Sequence, residues 1–260
     1  MRIQEVIDAL ECFAPLSLQD SYDNAGLQIG LTEVDASGVL LCLDVTEDVL
    51  LEAVRTGCNM VVSHHPLLFR GLKQISDQTQ PARCARMAIE HGLCIYAAHT
   101  NLDNARGGVN YEMADRLGAR VTGWLRPLAG GEGGSGVMAE LPEAEEPLQF
   151  LRRVKQTFGV HTLCHNDGPA DRPIRRLALC GGAGDFLMDD ALAQGADCFL
   201  TGEMHYHQYF GQEQSLWIGV LGHYQSERFT IDLLERLVRE TCPGLPTRQT
   251  TVDTNAIRYL

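Results

Sequence analysis

Short apolar runs, four to six residues long, recur along this chain, and at four places such a run gives way to polar residues able to hold an ion. Runs this short and this rich in valine, leucine and isoleucine read as buried strands. They are expected at 39–44, 60–63, 93–98 and 216–221, with another from Leu177 onward. Between them lie amphipathic helical patterns. One is entered through Thr46, has Glu47 and Asp48 in its first turn, and ends near Gly57. Others cover about 81–91, 109–117, 148–158 and 227–240, and an N-terminal helix sets Ile3, Val6, Ile7 and Leu10 on one face. Strands alternating with helices imply an α/β architecture.

Residues 41–65 align without gaps on 179–203, matching Leu41-Cys42 to Leu179-Cys180, Ala53 to Ala191 and Gly57 to Gly195. The first copy ends in Ser63-His64-His65 and the second in Thr201-Gly202-Glu203. A pseudo-repeat of this kind implies two similar α/β lobes facing a shared cleft. Any two strand–helix–strand units share part of the pattern, so the identities alone leave both readings open. Residues 126–147 hold Pro127, the run Gly130-Gly-Glu-Gly-Gly-Ser-Gly136, Pro142 and Pro147. Their composition marks a crossing between lobes or a mobile loop. The expected division is a first lobe of 1–125, completed by 220–260, and a second lobe of 126–219.

Composition removes several function classes. With 260 residues, 45% apolar and 21% charged, the chain is long enough for one large or two ordinary domains. A net charge of −13 disfavours general nucleic-acid binding. No run approaches the roughly 18 apolar residues of a membrane helix, and the N-terminal helix carries acids where a signal peptide would not. Nine cysteines without a Cys-x-x-Cys spacing argue against a disulfide framework or a thiolate zinc finger, and fit a reducing cytoplasm.

Four strand exits carry ligand-competent residues: His64-His65, His99-Thr-Asn-Leu-Asp103, Glu203-Met-His205-Tyr-His207 and His223-Tyr-Gln-Ser-Glu227. Ligands of open α/β sheets bind outside the carboxyl ends of strands, where such exits collect. A lone His-His is as readily a solvated pair, and a lone His–Glu four apart a surface pair. Four exits together point to one site. On a helix, His223 and Glu227 share a face and can approach one ion. Imidazole and carboxylate without thiolate suit zinc, manganese, iron, cobalt or nickel. Five such ligands suggest two divalent metal ions with a bridging carboxylate, a dinuclear metal site. Adjacent residues leaving a strand point different ways, so His64 and His65 are expected to serve different ions. Gly181-Gly-Ala-Gly184 reads as a tight turn or a phosphate-cradling one. His91, His161 and His165 lie away from the exits, and His205 and His207 are not assigned as ligands.

The chain resembles the NGG-one-interacting-factor-three-like proteins, also called GTP cyclohydrolase 1 type 2 homologues. The resemblance rests on Tyr22-Asp-Asn-Ala-Gly-Leu-Gln-Ile-Gly30, Ser63-His-His-Pro66, Ala98-His-Thr-Asn-Leu-Asp103, Thr201-Gly-Glu203, Gly222-His-Tyr-Gln-Ser-Glu227 and Asp253-Thr-Asn255. It implies two similar α/β lobes and a dinuclear site with His64, His65, Asp103, His223 and Glu227 as metal ligands, and with His99 close by. It also implies a homohexamer, and it matches the short form that lacks an inserted regulatory domain. Many relatives carry Gly-x-Gly-Arg in the mid-chain loop; here Gly131-Glu-Gly-Gly134 has glycine in place of the arginine.

These readings lead to a cytoplasmic, divalent-metal-dependent hydrolase with a nucleotide-like or other small-molecule substrate, His99 being the candidate catalytic proton shuttle. The rival is a non-catalytic metal-binding protein or regulatory scaffold.

Overall fold

The computed structural model describes residues 1–260, in two compact units. The first comprises Met1–Leu102 and Thr230–Ala256, the second Asp103–Phe229 and Ile257–Leu260.

The first unit contains α1 (Ile3–Phe13), β1 (Gly26–Ile29), β2 (Val39–Cys42), α2 (Glu47–Thr56), β3 (Met60–Ser63), α3 (Gln80–Glu90) and β4 (Cys94–Ala97). A single-turn helix, α4 (Thr100–Asp103), spans the division. After the second unit the chain returns as α9 (Thr230–Thr241) and β11 (Thr247–Gln249). The strands form a five-stranded sheet in the order β1-β4-β3-β2-β11. Every residue of β2, β3 and β4 is buried, as their unbroken apolar runs require of strands covered on both faces. Helix α2 starts as its sequence dictates: Thr46 Oγ1 accepts the Val49 N–H at 3.3 Å. It ends at Gly57, whose φ of 73° is the left-handed conformation a glycine adopts past a helix C-terminus. Val49, Leu50 and Ala53 face the core with Leu40, Val61 and Ile95. Burying each large aliphatic side chain there stabilises the fold by roughly 1.5–3 kcal/mol relative to exposure.

The second unit contains α5 (Val109–Arg116), β5 (Arg120–Pro127), β6 (Gly134–Glu145), α6 (Pro147–Thr157), β7 (Cys164–His165), β8 (Ile174–Cys180), α7 (Met188–Ala193), β9 (Cys198–Thr201), β10 (Trp217–Val220) and α8 (His223–Glu227). Its six strands run in the order β5-β6-β8-β9-β10-β7. Phe199, Ile218, Leu187 and Ala178 are among its core residues.

The glycine-rich stretch is a hairpin turn, not a crossing. Strands β5 and β6 pair antiparallel from Arg120↔Glu140 to Pro127↔Gly134, and the glycines close the loop between them. Gly130 and Gly131 take φ of 104° and 75°, which that turn demands of residues without a Cβ. Because β5 enters the second sheet, the compact units divide after Leu102 and after Phe229.

The internal repeat has a structural counterpart. In β2 and β3 the parallel register pairs Val39↔Met60 through Cys42↔Ser63. In β8 and β9 it pairs Leu177↔Cys198 through Cys180↔Thr201. These are the same positions that the gapless alignment superposes. The likeness extends outward, since β4 and β10 follow parallel to β3 and β9, and each is flanked by an antiparallel strand, β1 or β7.

Candidate metal centre

In the first unit the exits of β3 and β4 bring three histidines together. Pro66 has no N–H to continue a strand, and the chain bends: His64 and His65 donate their backbone N–H groups to Cys42 and Leu43 carbonyls, and Ser63 Oγ donates to the His65 carbonyl at 2.8 Å. The bend turns consecutive side chains the same way. Ring centroids of His64 and His65 lie 4.9 Å apart, and His99 lies 5.3 and 5.5 Å from them. One ring nitrogen of each lies within 4.8 Å of the others.

Each of these rings has its Nδ1 against an acceptor. His64 Nδ1 donates to the Ala98 carbonyl at 2.8 Å, His65 Nδ1 to Asp44 Oδ1 at 2.7 Å, and His99 Nδ1 to Asp23 Oδ1 at 2.7 Å. A proton held at Nδ1 leaves the lone pair on Nε2, the tautomer in which histidine binds a metal. The supporting carboxylates are themselves fixed. Asp44 Oδ2 accepts from Thr254 Oγ1 at 2.7 Å. Asp23 accepts from the Asn24 N–H at 2.7 Å, the Thr100 N–H at 3.1 Å and the Thr100 hydroxyl. Burial raises the Asp23 pKa, but hydrogen bonds from His99, Thr100 and Asn24 outweigh it and hold this carboxyl down at about 2. Asp44 is likewise lowered: burial opposes its charge, and the His65 and Thr254 hydrogen bonds win.

In the second unit His223 opens α8 and Glu227 closes it. His223 Nδ1 meets Glu203 Oε1 at 2.8 Å, and its Nε2 lies 3.2 Å from Glu227 Oε2. Glu203, which aligns with His65 in the repeat, therefore orients a histidine at the exit of the neighbouring parallel strand, β10. Glu227 is 3% exposed, burial that a carboxylate tolerates only beside strong partners. One of its oxygens lies within 4.8 Å of His223 and one within the same distance of Asp103, so it stands between two prospective ligands.

The glycine loop at 181–184 serves this carboxylate. A Cβ on Gly182 would lie 2.3 Å from Glu227 Oε1, and φ at Gly182 is 61°. The Gly182 N–H donates to Ser226 Oγ at 3.0 Å, and Ser226 Oγ donates to the His223 carbonyl at 2.8 Å. Asn110 extends the scaffold, accepting the Gly181 N–H at 3.0 Å and donating to the Asp103 carbonyl at 3.1 Å. The loop makes room for an acidic side chain; its sequence alone reads equally as a phosphate turn.

His91, His161 and His165 are exposed and lie outside both clusters. His205 is exposed against Asp185 at 2.6 Å, and His207 is exposed beside Tyr206 and Phe210. Sequence reasoning did not find the carboxylates Asp23 and Asp44 that orient ligand-competent histidines. Each sits in a strand-end or turn motif that offers a signal only once its partner is known to be near.

The donor set fits divalent transition ions: neutral imidazoles with fixed tautomers, carboxylates and no thiolate among them. Comparison with known proteins agrees with the fold. Residues 1–256 match the family model Duf34/NIF3 (NGG1p interacting factor 3). A protein named GTP cyclohydrolase 1 type 2 homolog in Clostridium acetobutylicum is 32% identical, over 87% of this chain and 85% of its own. One of the same name in Clostridium perfringens is 33% identical over 87% of each chain. Among solved structures, a Staphylococcus aureus hypothetical protein, SA1388, superposes with a TM-score of 0.90 at 25% identity over 100% of this chain and 99% of its own. Reduced HcgD from Methanocaldococcus jannaschii shares the fold, with a TM-score of 0.81 at 23% identity over 97% and 98%. The chain belongs to the DUF34/NIF3 family.

Proposed function

We propose that this chain is a divalent-metal-dependent hydrolase in which His64, His65, Asp103, His223 and Glu227 hold two ions. The chemistry such ions supply is activation of water and polarisation of the bond to be cleaved. The chain's own groups do the rest. Asp44, Glu203 and the Ala98 carbonyl hold His65, His223 and His64 in the tautomer that points a lone pair from Nε2. Glu227, with Asp103 and His223 both close to it, would be the carboxylate available to both ions. His99 has Asp23 behind its Nδ1, which fixes the ring and leaves Nε2 as the atom that can take and give a proton. That makes it the proton shuttle.

The observation that carries this reading is the uniform arrangement of four histidines, each with Nδ1 against a carbonyl or carboxylate. The exposed His165 and His205 also have Nδ1 against an acceptor but lie outside both clusters; what sets the four apart is that each also stands beside further ligand-competent groups. The substrate class is a small, nucleotide-like molecule, in keeping with the name GTP cyclohydrolase 1 type 2 homolog that the relatives bear. At Gly134, where many relatives carry arginine, a Cβ would lie 2.6 Å from Trp124 Cγ and 2.8 Å from the Arg126 carbonyl. Any phosphate contact must come from elsewhere. We assign the protein to the cytoplasm, in keeping with nine cysteines that are not cross-linked, and to a homohexamer, by likeness to its family. No helix is long and apolar enough to cross a membrane.

The test is elemental analysis of the native protein, followed by a screen of the metal-loaded protein against nucleotides and phosphoesters. Two ions per chain and turnover of one class support the proposal. No bound ion overturns it, and two tight ions without turnover of any substrate favour the scaffold reading.

A further inference from the structure

The motif Asp253-Thr-Asn255 has no part in the donor set described above, yet it reaches it. After β11 the chain runs without regular secondary structure and is pinned at successive points. The Thr250 N–H donates to the Leu41 carbonyl at 2.9 Å. The Thr250 hydroxyl donates to Glu52, as do Thr251 Oγ1 at 2.7 Å and the Thr251 N–H at 3.0 Å. Val252 packs against the core of the first unit. These anchors place Thr254 with its Oγ1 at 2.7 Å from Asp44 Oδ2, while the other oxygen of the same carboxylate holds His65 Nδ1 at 2.7 Å.

We infer that Thr254 is a positioning residue for metal binding at His65: its hydroxyl fixes the rotation of the Asp44 carboxylate, which fixes the tautomer and direction of the His65 ring. The inference rests on the metal reading above and assigns the C-terminal segment a part in it. The chemistry at 254 is narrow. Asp44 is ionised and accepts only, so its second oxygen needs a donor. A hydroxyl on a short side chain supplies one from a segment anchored just before it at Thr250, Thr251 and Val252. Without it the carboxylate is free to rotate, and the ring's plane is no longer set. Partners of this kind behind a ligand typically cost about 10–100-fold in metal affinity when removed.

The experiment compares wild type, Thr254→Val and Thr254→Ser in the full chain. Cobalt(II) and zinc(II) affinities are measured by competition with a chromophoric chelator, alongside the visible spectrum of the cobalt form and the urea midpoint of the metal-free protein. Thr254→Val, which keeps the volume and removes the donor, is expected to weaken one of the two ions by about 10–100-fold and to shift the cobalt absorption. Thr254→Ser is expected to restore both. Equal affinities for valine and wild type overturn the inference, as do equal losses for valine and serine, which would make the effect one of packing. A valine variant whose metal-free urea midpoint falls along with its affinity, and which serine fails to rescue, assigns the tail to folding alone. A wild-type chain that binds neither metal overturns the metal reading and this inference with it.

Discussion

Gly182 and Glu227 are fitted to each other: the space a side chain at 182 would fill is occupied by Glu227 Oε1, 2.3 Å from the position of a Cβ. The backbone reinforces the constraint, since φ at Gly182 is 61°. Gly182→Ala is therefore expected to displace the carboxylate as well as strain the turn. The strain contributes about 1–2 kcal/mol. The displacement should remove bound metal, which analysis of the purified variant would detect. Gly57→Ala is the matched control. Its φ is 73° and nothing lies within 4 Å of its Cβ, so it should lose similar stability and keep its metal. Equal metal content in the two variants would refute the role given to the loop.

Glu203 supports His223 as Asp44 supports His65. Glu203→Ala should lower metal affinity by about 10–100-fold without changing the unfolding midpoint of the metal-free protein, because Glu203 is largely exposed. Chelator competition and a urea melt together check this. A variant with wild-type affinity would show that the His223 orientation comes from α8 alone.

Acid should loosen the C-terminal segment through Glu52. Burial raises the pKa of this carboxyl, but hydrogen bonds from Thr250 and Thr251, with Arg55 nearby, bring it below its ordinary value of 4.5. A lowered folded-state pKa means the unfolded chain binds its proton first. The contribution is thus fully present above about pH 4.5 and is lost as pH falls through the lower, folded value. The urea midpoint of wild type should exceed that of Glu52→Gln at neutral pH, and the gap should narrow progressively as the pH falls below about 4.5. A gap that is constant with pH would show that charge at 52 is immaterial.

At Gly134, a Cβ meets the Trp124 ring and the Arg126 carbonyl at 2.6 and 2.8 Å. Introducing the arginine that the family resemblance implies at this position, as Gly134→Arg, is expected to cost at least about 1–3 kcal/mol by overpacking the β5–β6 hairpin. Thermal melting would measure it. No loss of stability would mean that the hairpin opens readily, and that an anion-binding arginine there is compatible with this fold.

Much of the fold was legible because its strands are short, apolar and buried on both faces, and its helices carry ordinary start and stop chemistry at Thr46 and Gly57. The repeat was legible for the same reason, and the matching registers of β2–β3 and β8–β9 account for it. Other parts were not. Glycine and proline mark turns, crossings and loops alike, so the composition of residues 126–147, read as a crossing or a mobile loop, did not reveal the β5–β6 hairpin. Strand β11, only Thr247–Gln249, has no apolar alternation and is a strand because β2 offers it an edge. His64, His65 and His223 stood out as residues at strand exits. The carboxylates behind His65 and His99 did not, because Asp44 is 21 residues from His65 and Asp23 is 76 from His99; nor did the hydroxyl of Thr254, 210 residues from Asp44. Proximity of that kind is made by topology and leaves no local pattern. The side-by-side rings of His64 and His65 depend on the bend closed by Ser63, which strand alternation does not anticipate.

The insertion of residues 103–229 within the first unit has a consequence for how the chain is made. Domains commonly fold in the order in which the ribosome releases them. Here the order is inverted, because β2 lacks its outer neighbour until β11 emerges, long after the inserted unit is nearly whole. During that interval a fully apolar strand stands at the edge of an unfinished sheet, the kind of edge that recruits other chains. Chains ended between residues 103 and 246 lack β11 and are therefore expected to leave the β2 edge open to other chains.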